Sequence, residues 1–131
     1  MLKRVLFLIP LIFCSCYKTE RNCEDYKTGT FKFTYSIDGK EETSVFKRTA
    51  DLNIDYLEQG NDTASIKWIN ACEFIQRAKS PKSRAEEQAI HFKIISTTDT
   101  SYTFEYKLAI KPENKPLRTE RGTAYKIVDI D

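Results

Sequence analysis

Apolar and polar residues alternate along most of this chain with a period of two, which is typical of half-buried β-strands. The stretch TGTFKFTYSI at residues 28–37 is the clearest case, with its aromatic residues on one face and threonine, lysine and serine on the other. The alternation recurs along the chain and blurs only over residues 71–78. It predicts seven or eight strands, at residues 28–37, 42–49, 51–59, 63–70, 71–78, 89–96, 101–110 and 118–130.

Turn residues separate these segments. Asp38 and Gly39 form a DG pair, the strongest short hairpin signal. The prolines of KPENKPL, residues 111–117, exclude that segment from a sheet interior. Within SPKSRAEEQ, Pro81 suits the first helical position and Ser83 with Glu86 makes a capping box. We therefore expect one short helix near residues 80–88.

Successive strands joined by short turns predict an all-β antiparallel meander. Each strand has an apolar face that must be covered, and a closed barrel also removes exposed edges. We favour a small, lipocalin-like barrel of seven or eight strands, with a two-sheet β-sandwich as the alternative.

The N-terminus has the order of a secretory signal: MLKR is basic, VLFLIPLIF is apolar and CSC is a cleavage zone. The apolar run is shorter than the roughly 20 residues of a membrane-spanning helix. The string FCSC resembles the bacterial lipobox, in which a small residue precedes a cysteine that is acylated. Ser15 makes Cys16 the expected lipidation site, whereas Phe13 disfavours Cys14. Secretion without acylation is the alternative.

These features divide the chain into a signal peptide at residues 1–15, a flexible tether at 16–28 and a β domain at 29–131. Lipidation at Cys16 predicts an exported protein anchored to the outer membrane. Because YKTER after Cys16 lacks a run of acidic residues, we expect the periplasmic side, with surface exposure as the alternative.

The charge and the cysteine content of the chain limit the classes of partner and cofactor expected for this protein. Removing Lys3 and Arg4 with the signal from the 21 basic residues leaves 19, equal to the 19 acidic ones. A neutral chain is unsuited to nucleic acid, which needs a basic surplus. Cys23 and Cys72 remain in an oxidising compartment, where they form a disulfide or stay as two free thiols. One histidine and no CxxC spacing argue against zinc, and no cofactor is expected.

No catalytic motif stands out. The single histidine, His91, would have to serve as the base of any nucleophilic mechanism, but its strand directs it away from the apolar face. We therefore expect no enzymatic activity. The triplet at residues 62–64 resembles an O-glycosylation acceptor of exported Bacteroidetes proteins, which makes Thr63 a candidate site. The large aromatic residues either fill the core or line a pocket: Tyr56, Trp68, Phe74, Phe104 and Tyr106.

The strings GTFKF, IDG, FKRT, ASIKWINACEFI, YTFEY and RGTAYKI resemble a family of short, uncharacterised lipoproteins of Bacteroidetes, especially flavobacteria. The resemblance implies an envelope location and a β fold, and supplies no activity. Some relatives carry the name of DNA topoisomerase IV. We do not transfer it, because that chemistry needs a tyrosine nucleophile beside a carboxylate metal site in a far larger protein that grips DNA.

We therefore expect a binding or structural module of the cell envelope whose partner is an envelope protein, a glycan or a small apolar ligand. One alternative is an inhibitor of a periplasmic hydrolase of the lysozyme type, using the loops at residues 79–84 and 111–115 to enter an active site. The other is a lipocalin-like carrier of a small ligand.

Overall fold

The computed structural model describes residues 21–129, which form an eight-stranded antiparallel barrel. The predicted signal peptide and Cys16 lie outside the described residues. No helix within the described part is long and apolar enough to cross a bilayer. The strands are β1 (Gly29–Ile37), β2 (Lys40–Arg48), β3 (Leu52–Leu57), β4 (Gly60–Asn70), β5 (Glu73–Ala78), β6 (Ile90–Thr97), β7 (Ser101–Leu108) and β8 (Glu120–Ile127).

The sheet closes on itself because β1 pairs with both β2 and β8. Phe33, for example, lies opposite Ser44 on one side and Ala124 on the other. Every other pairing joins strands that follow each other in the chain. The predicted antiparallel barrel is confirmed, and the sandwich alternative is not what forms. The predicted DG turn is also present, since Asp38 and Gly39 have φ angles of 51° and 75°, both positive as a type I′ turn requires.

One end of the barrel, where β1 begins, is covered by a 3-10 helix at Cys23–Tyr26; we call it the closed end. Cys23 and Tyr26 are 3% and 2% exposed. The Tyr26 hydroxyl donates to the carbonyl of Thr98, 2.5 Å away, in the β6–β7 turn. Part of the predicted tether is therefore structured: residues 23–26 form the 3-10 helix, and Cys23 and Tyr26 are buried against the barrel while Glu24 and Asp25 stay exposed.

The opposite, open end carries the hairpin turns after β1 and β3 and the two long loops at residues 79–89 and 109–119. The predicted helix at 80–88 is wrong: the segment makes hydrogen-bonded turns. The Ser83 hydroxyl does accept the Glu86 amide proton at 3.2 Å, as a capping residue would. However, residues 80–88 are all exposed, so a helix here would bury no apolar face and would gain no stability from packing.

The core is aromatic and lies towards the closed end. Phe31 is fully buried, stacked on Phe46 with ring centroids 5.3 Å apart and edge-on to Tyr102 at 5.4 Å. Such ring pairs add to the free energy of burial because their geometry matches the aromatic quadrupole. The aromatic residues of the alternating strands therefore pack into a cluster that fills the closed end of the barrel.

Candidate functional site

Strand β3 directs its polar residues into the barrel. Asn53 is 4% exposed and Asp55 is half-buried, and both line an internal cavity. Since side chains alternate between faces, Leu52, Ile54 and Tyr56 lie on the outer surface. The interpretation of Tyr56 as a core or pocket residue is therefore wrong. An alternating strand has the same periodicity whichever face turns inward, so the pattern alone does not orient it.

The cavity has a volume of about 200 Å³ and lies along the barrel axis. Arg48 and Tyr102 are near the closed end, whereas Ile90 and Tyr106 are near the open end. All lining residues belong to strands, which hold a site more rigidly than loops. They are Phe33, Ser44, Phe46, Arg48, Asn53, Asp55, Gln76, Ile90, Phe92, Tyr102, Phe104 and Tyr106.

The two sides of the cavity differ in polarity. Strands β1, β6 and β7 supply an aromatic wall in which Phe92 packs on Tyr106 at 5.5 Å and on Phe104 at 5.9 Å. Strands β2, β3 and β5 supply hydroxyl, amide and carboxyl groups on the facing wall. Such a mixture of apolar area with a few convergent polar groups is typical of small-molecule sites.

Arg48 is the charged group at the base of the cavity, and it is 3% exposed. Nη1 donates to the carbonyl of Tyr26 at 3.0 Å and Nη2 donates to the Tyr102 hydroxyl at 2.7 Å. Four aromatic rings surround the guanidinium, which supplies cation–π attraction. Their centroids lie 4.7 Å (Phe74), 5.3 Å (Phe31), 5.4 Å (Phe46) and 5.4 Å (Tyr102) from Cζ.

Only some of the hydrogen-bond donors of the Arg48 guanidinium have partners in the described protein. Nε of Arg48 is buried and has no hydrogen-bond partner among residues 21–129. Nor does any carboxylate in that part of the chain lie within 4.0 Å of the guanidinium. Burial of a charge without a hydrogen-bonded counter-charge is costly. The base of the cavity therefore presents a positive charge with a spare donor.

Tyr102 adds a second donor beside it. Burial raises the pKa of the Tyr102 hydroxyl above 10.0, and this effect outweighs the lowering by Arg48, so the hydroxyl keeps its proton at neutral pH. Its oxygen accepts from Arg48, and within the described chain no acceptor takes its own proton. Two donors from adjacent side chains are thus available at the same end of the cavity.

Asp55 lies further towards the open end, opposite Asp62 on β4. Burial raises the pKa of Asp55 most, the Asp62 carboxylate raises it further, and Asn53 and Arg48 lower it. The folded state therefore favours the neutral acid more than the unfolded chain does.

This raised pKa predicts the effect of Asp55→Asn on stability. A group whose pKa is higher in the folded state than in the unfolded chain destabilises the fold as pH rises above the unfolded value, here 3.8. Asp55→Asn is therefore expected to increase the free energy of unfolding at neutral pH, with a gain that shrinks as pH falls towards 3.8. Urea unfolding over this range measures it, and the exposed Asp51→Asn is the control. A gain that grows on acidification would contradict the expected sign.

The other candidate residues fall into three groups. Phe104 and Tyr106 line the cavity, whereas Phe74 and Trp68 pack into the core beside it. His91 is on the outer face, with Nε2 3.0 Å from a carboxylate oxygen of Glu73. Thr63 is half-buried inside β4, opposite Ile54, rather than in a turn.

Cys23 and Cys72 form a disulfide, with the Sγ atoms 2.02 Å apart. It joins the 3-10 helix to the β4–β5 turn at the closed end, so the predicted pairing is present. Among the described residues, no group of three or more histidine, cysteine, aspartate or glutamate side chains is placed to hold a metal ion.

Four residues of the cavity were not predicted as site residues from the sequence: Arg48, Asn53, Asp55 and Tyr102. One signal was available: Arg48 has the same strand parity as Phe46, so it falls on the aromatic face of β2. A charge on an apolar face is unusual enough to mark a functional candidate.

Fold and cavity together define a closed up-and-down β-barrel with an internal, polar-based pocket. Comparison with models of protein families, with curated proteins and with solved structures gave no match to this chain.

Proposed function

We propose that this protein is a small-molecule-binding module of the cell envelope and that the ligand occupies the barrel cavity. The observation that carries the proposal is the strand-built cavity of about 200 Å³, with one aromatic and one polar wall. A purely structural barrel of eight strands has room to fill its interior with side chains. Here polar groups line the interior space instead.

The volume limits the ligand. At roughly 30 Å³ per molecule of liquid water, the cavity has the space of about seven waters. Drug-sized ligands occupy pockets of roughly 300 to 1,000 Å³. The ligand is therefore smaller than most drug-sized molecules, with one or two rings or a short chain.

The proposed location is the outer membrane, on its periplasmic side, through lipid on Cys16. In support, the described chain enters the barrel at the closed end, where the Asn22 amide donates to Thr97 Oγ1 at 2.8 Å. A tether attached there leaves the open end unobstructed. A mass spectrum of the protein from its own membranes, showing acyl chains on Cys16, is the check. An unmodified N-terminus would contradict the anchor.

The proposal assigns no catalytic step to the cavity and no role to nucleic acid. Its support is that the single histidine is outside the barrel, and that the two buried donors are suited to holding a ligand without transferring a group. The resemblance to envelope lipoproteins of Bacteroidetes agrees with this role and remains a prediction.

The test is to fill the cavity. Ser44 points inward, so Ser44→Phe places a ring in the cavity, whereas Thr43→Phe places the same ring on the outer face of the same strand. We expect calorimetric titration with 2-naphthol to show saturable binding to the wild-type protein and to Thr43→Phe. Ser44→Phe is expected to bind at least about tenfold more weakly, a loss of about 1.4 kcal/mol. Equal binding by all three proteins, or none by the wild type, would contradict the proposal.

A further inference from the structure

We infer that the ligand of the cavity is a small carboxylate with an apolar body, whose oxygens accept hydrogen bonds from the Arg48 guanidinium and the Tyr102 hydroxyl. This inference rests on the proposed binding function and adds the chemical class of the ligand. Three features of the cavity support it: its charge, its hydrogen-bond donors and its aromatic wall.

The charge of the site calls for an anion. Arg48 is 3% exposed, and no carboxylate of residues 21–129 lies within 4.0 Å of it. Aromatic rings compensate only part of the lost hydration, because the cation–π attraction is weaker than a hydrogen-bonded ion pair. A bound anion supplies the missing counter-charge, whereas an amine would place a second positive charge beside the first.

The free hydrogen-bonding groups at the base of the cavity are both donors. One N–H of Nη1 and one of Nη2 donate to Tyr26 and Tyr102, and the N–H of Nε has no partner among residues 21–129. The Tyr102 hydroxyl accepts from Arg48 and therefore has its own proton to give. An ionised carboxylate has two oxygens and no donor, so it matches this pair without leaving a buried proton unsatisfied.

The aromatic wall calls for an apolar body. On that side the cavity is bordered by Phe33, Phe92 and Phe104, with Tyr106 near the open end, whereas the polar groups of β2, β3 and β5 lie on the facing wall. A hydrocarbon chain or a ring gains free energy by leaving water for this surface. The volume of about 200 Å³ admits a body of about six carbons beside the carboxylate.

The test compares three six-carbon ligands that differ only in the head group: hexanoate, hexan-1-ol and hexylamine. Each competes with 2-naphthol for the full-length protein at neutral pH. Hexanoate is expected to bind about ten- to a hundredfold more tightly than the other two, the range for charge-assisted hydrogen bonds. Arg48→Met retains the apolar length and is expected to abolish this preference while hexan-1-ol still binds.

Tyr102→Phe is the second variant, because it keeps the ring and tests the donor pair even if Arg48→Met fails to fold. It is expected to weaken hexanoate by about tenfold and hexan-1-ol by less than about twofold. Equal affinity for the three ligands, a preference for hexylamine, or a hexanoate preference that survives both variants would overturn the inference. Binding of 2-naphthol without competition by hexanoate would overturn it as well, leaving the proposed function standing. If neither 2-naphthol nor any six-carbon ligand binds, the proposed function fails too.

Discussion

Replacing Cys23 and Cys72 by serine is expected to lower the free energy of unfolding by about 4 kcal/mol. The disulfide joins residues 49 apart in sequence. A cross-link that closes a loop of this length lowers the conformational entropy of the unfolded chain, which corresponds to about 4 kcal/mol of stability. Chemical denaturation of the oxidised protein and the double variant measures the difference.

The control is the wild-type protein under reducing conditions, whose free energy of unfolding should equal that of the double variant. Loss of the cross-link should also free the 3-10 helix, since Cys23 lies within that four-residue element. A difference below about 1 kcal/mol would show that the non-covalent contacts of the closed end hold the helix without the disulfide.

Phe31→Ala is expected to destabilise the barrel by about 3 to 5 kcal/mol, the range for a fully buried phenylalanine. The ring is 0% exposed and contacts the rings of Tyr26, Phe46 and Tyr102, so its removal leaves a void among stiff neighbours that do not easily collapse. Thermal or urea unfolding measures the loss.

Tyr35→Ala on the same strand is the matched control. Tyr35 is 38% exposed and makes one ring contact, with Phe33 at 5.8 Å, so about 1 kcal/mol is expected. Equal losses for the two variants would mean that the aromatic cluster around Phe31 tolerates rearrangement.

Periodicity and turn chemistry were sufficient to predict the strands and their order. Alternation over residues 28–37 and the DG pair at 38–39 fix a hairpin because each is a local property of the chain. The helix expected at 80–88 failed because capping residues mark a helix start but supply no burial. The 3-10 helix at Cys23–Tyr26 was missed because its two buried side chains are separated by acidic residues, and only the disulfide and the barrel floor explain their burial.

The site was much less predictable than the fold. Asn53 and Asp55 face the cavity because β3 turns its polar side inward, and the choice of side depends on register with β2 and β4. Tyr102 shares the apolar face of its strand with Phe104 and Tyr106, and its hydroxyl becomes a site group only beside Arg48, 54 positions earlier in the chain. Hydrogen-bond partners this distant in sequence are set by closure of the barrel, which the local pattern does not encode.

The connectivity of the barrel has a consequence for how it assembles. Seven of the eight strand pairs are hairpin neighbours, and only β1 with β8 joins the two ends of the domain. Hairpins form within about 1 to 10 μs, whereas this seam must wait until the intervening strands are in place. We therefore expect the pairing of residues 30–33 with 124–127 to form last. Since Phe33 belongs both to this seam and to the cavity wall, the wall of the cavity is complete only after that final step.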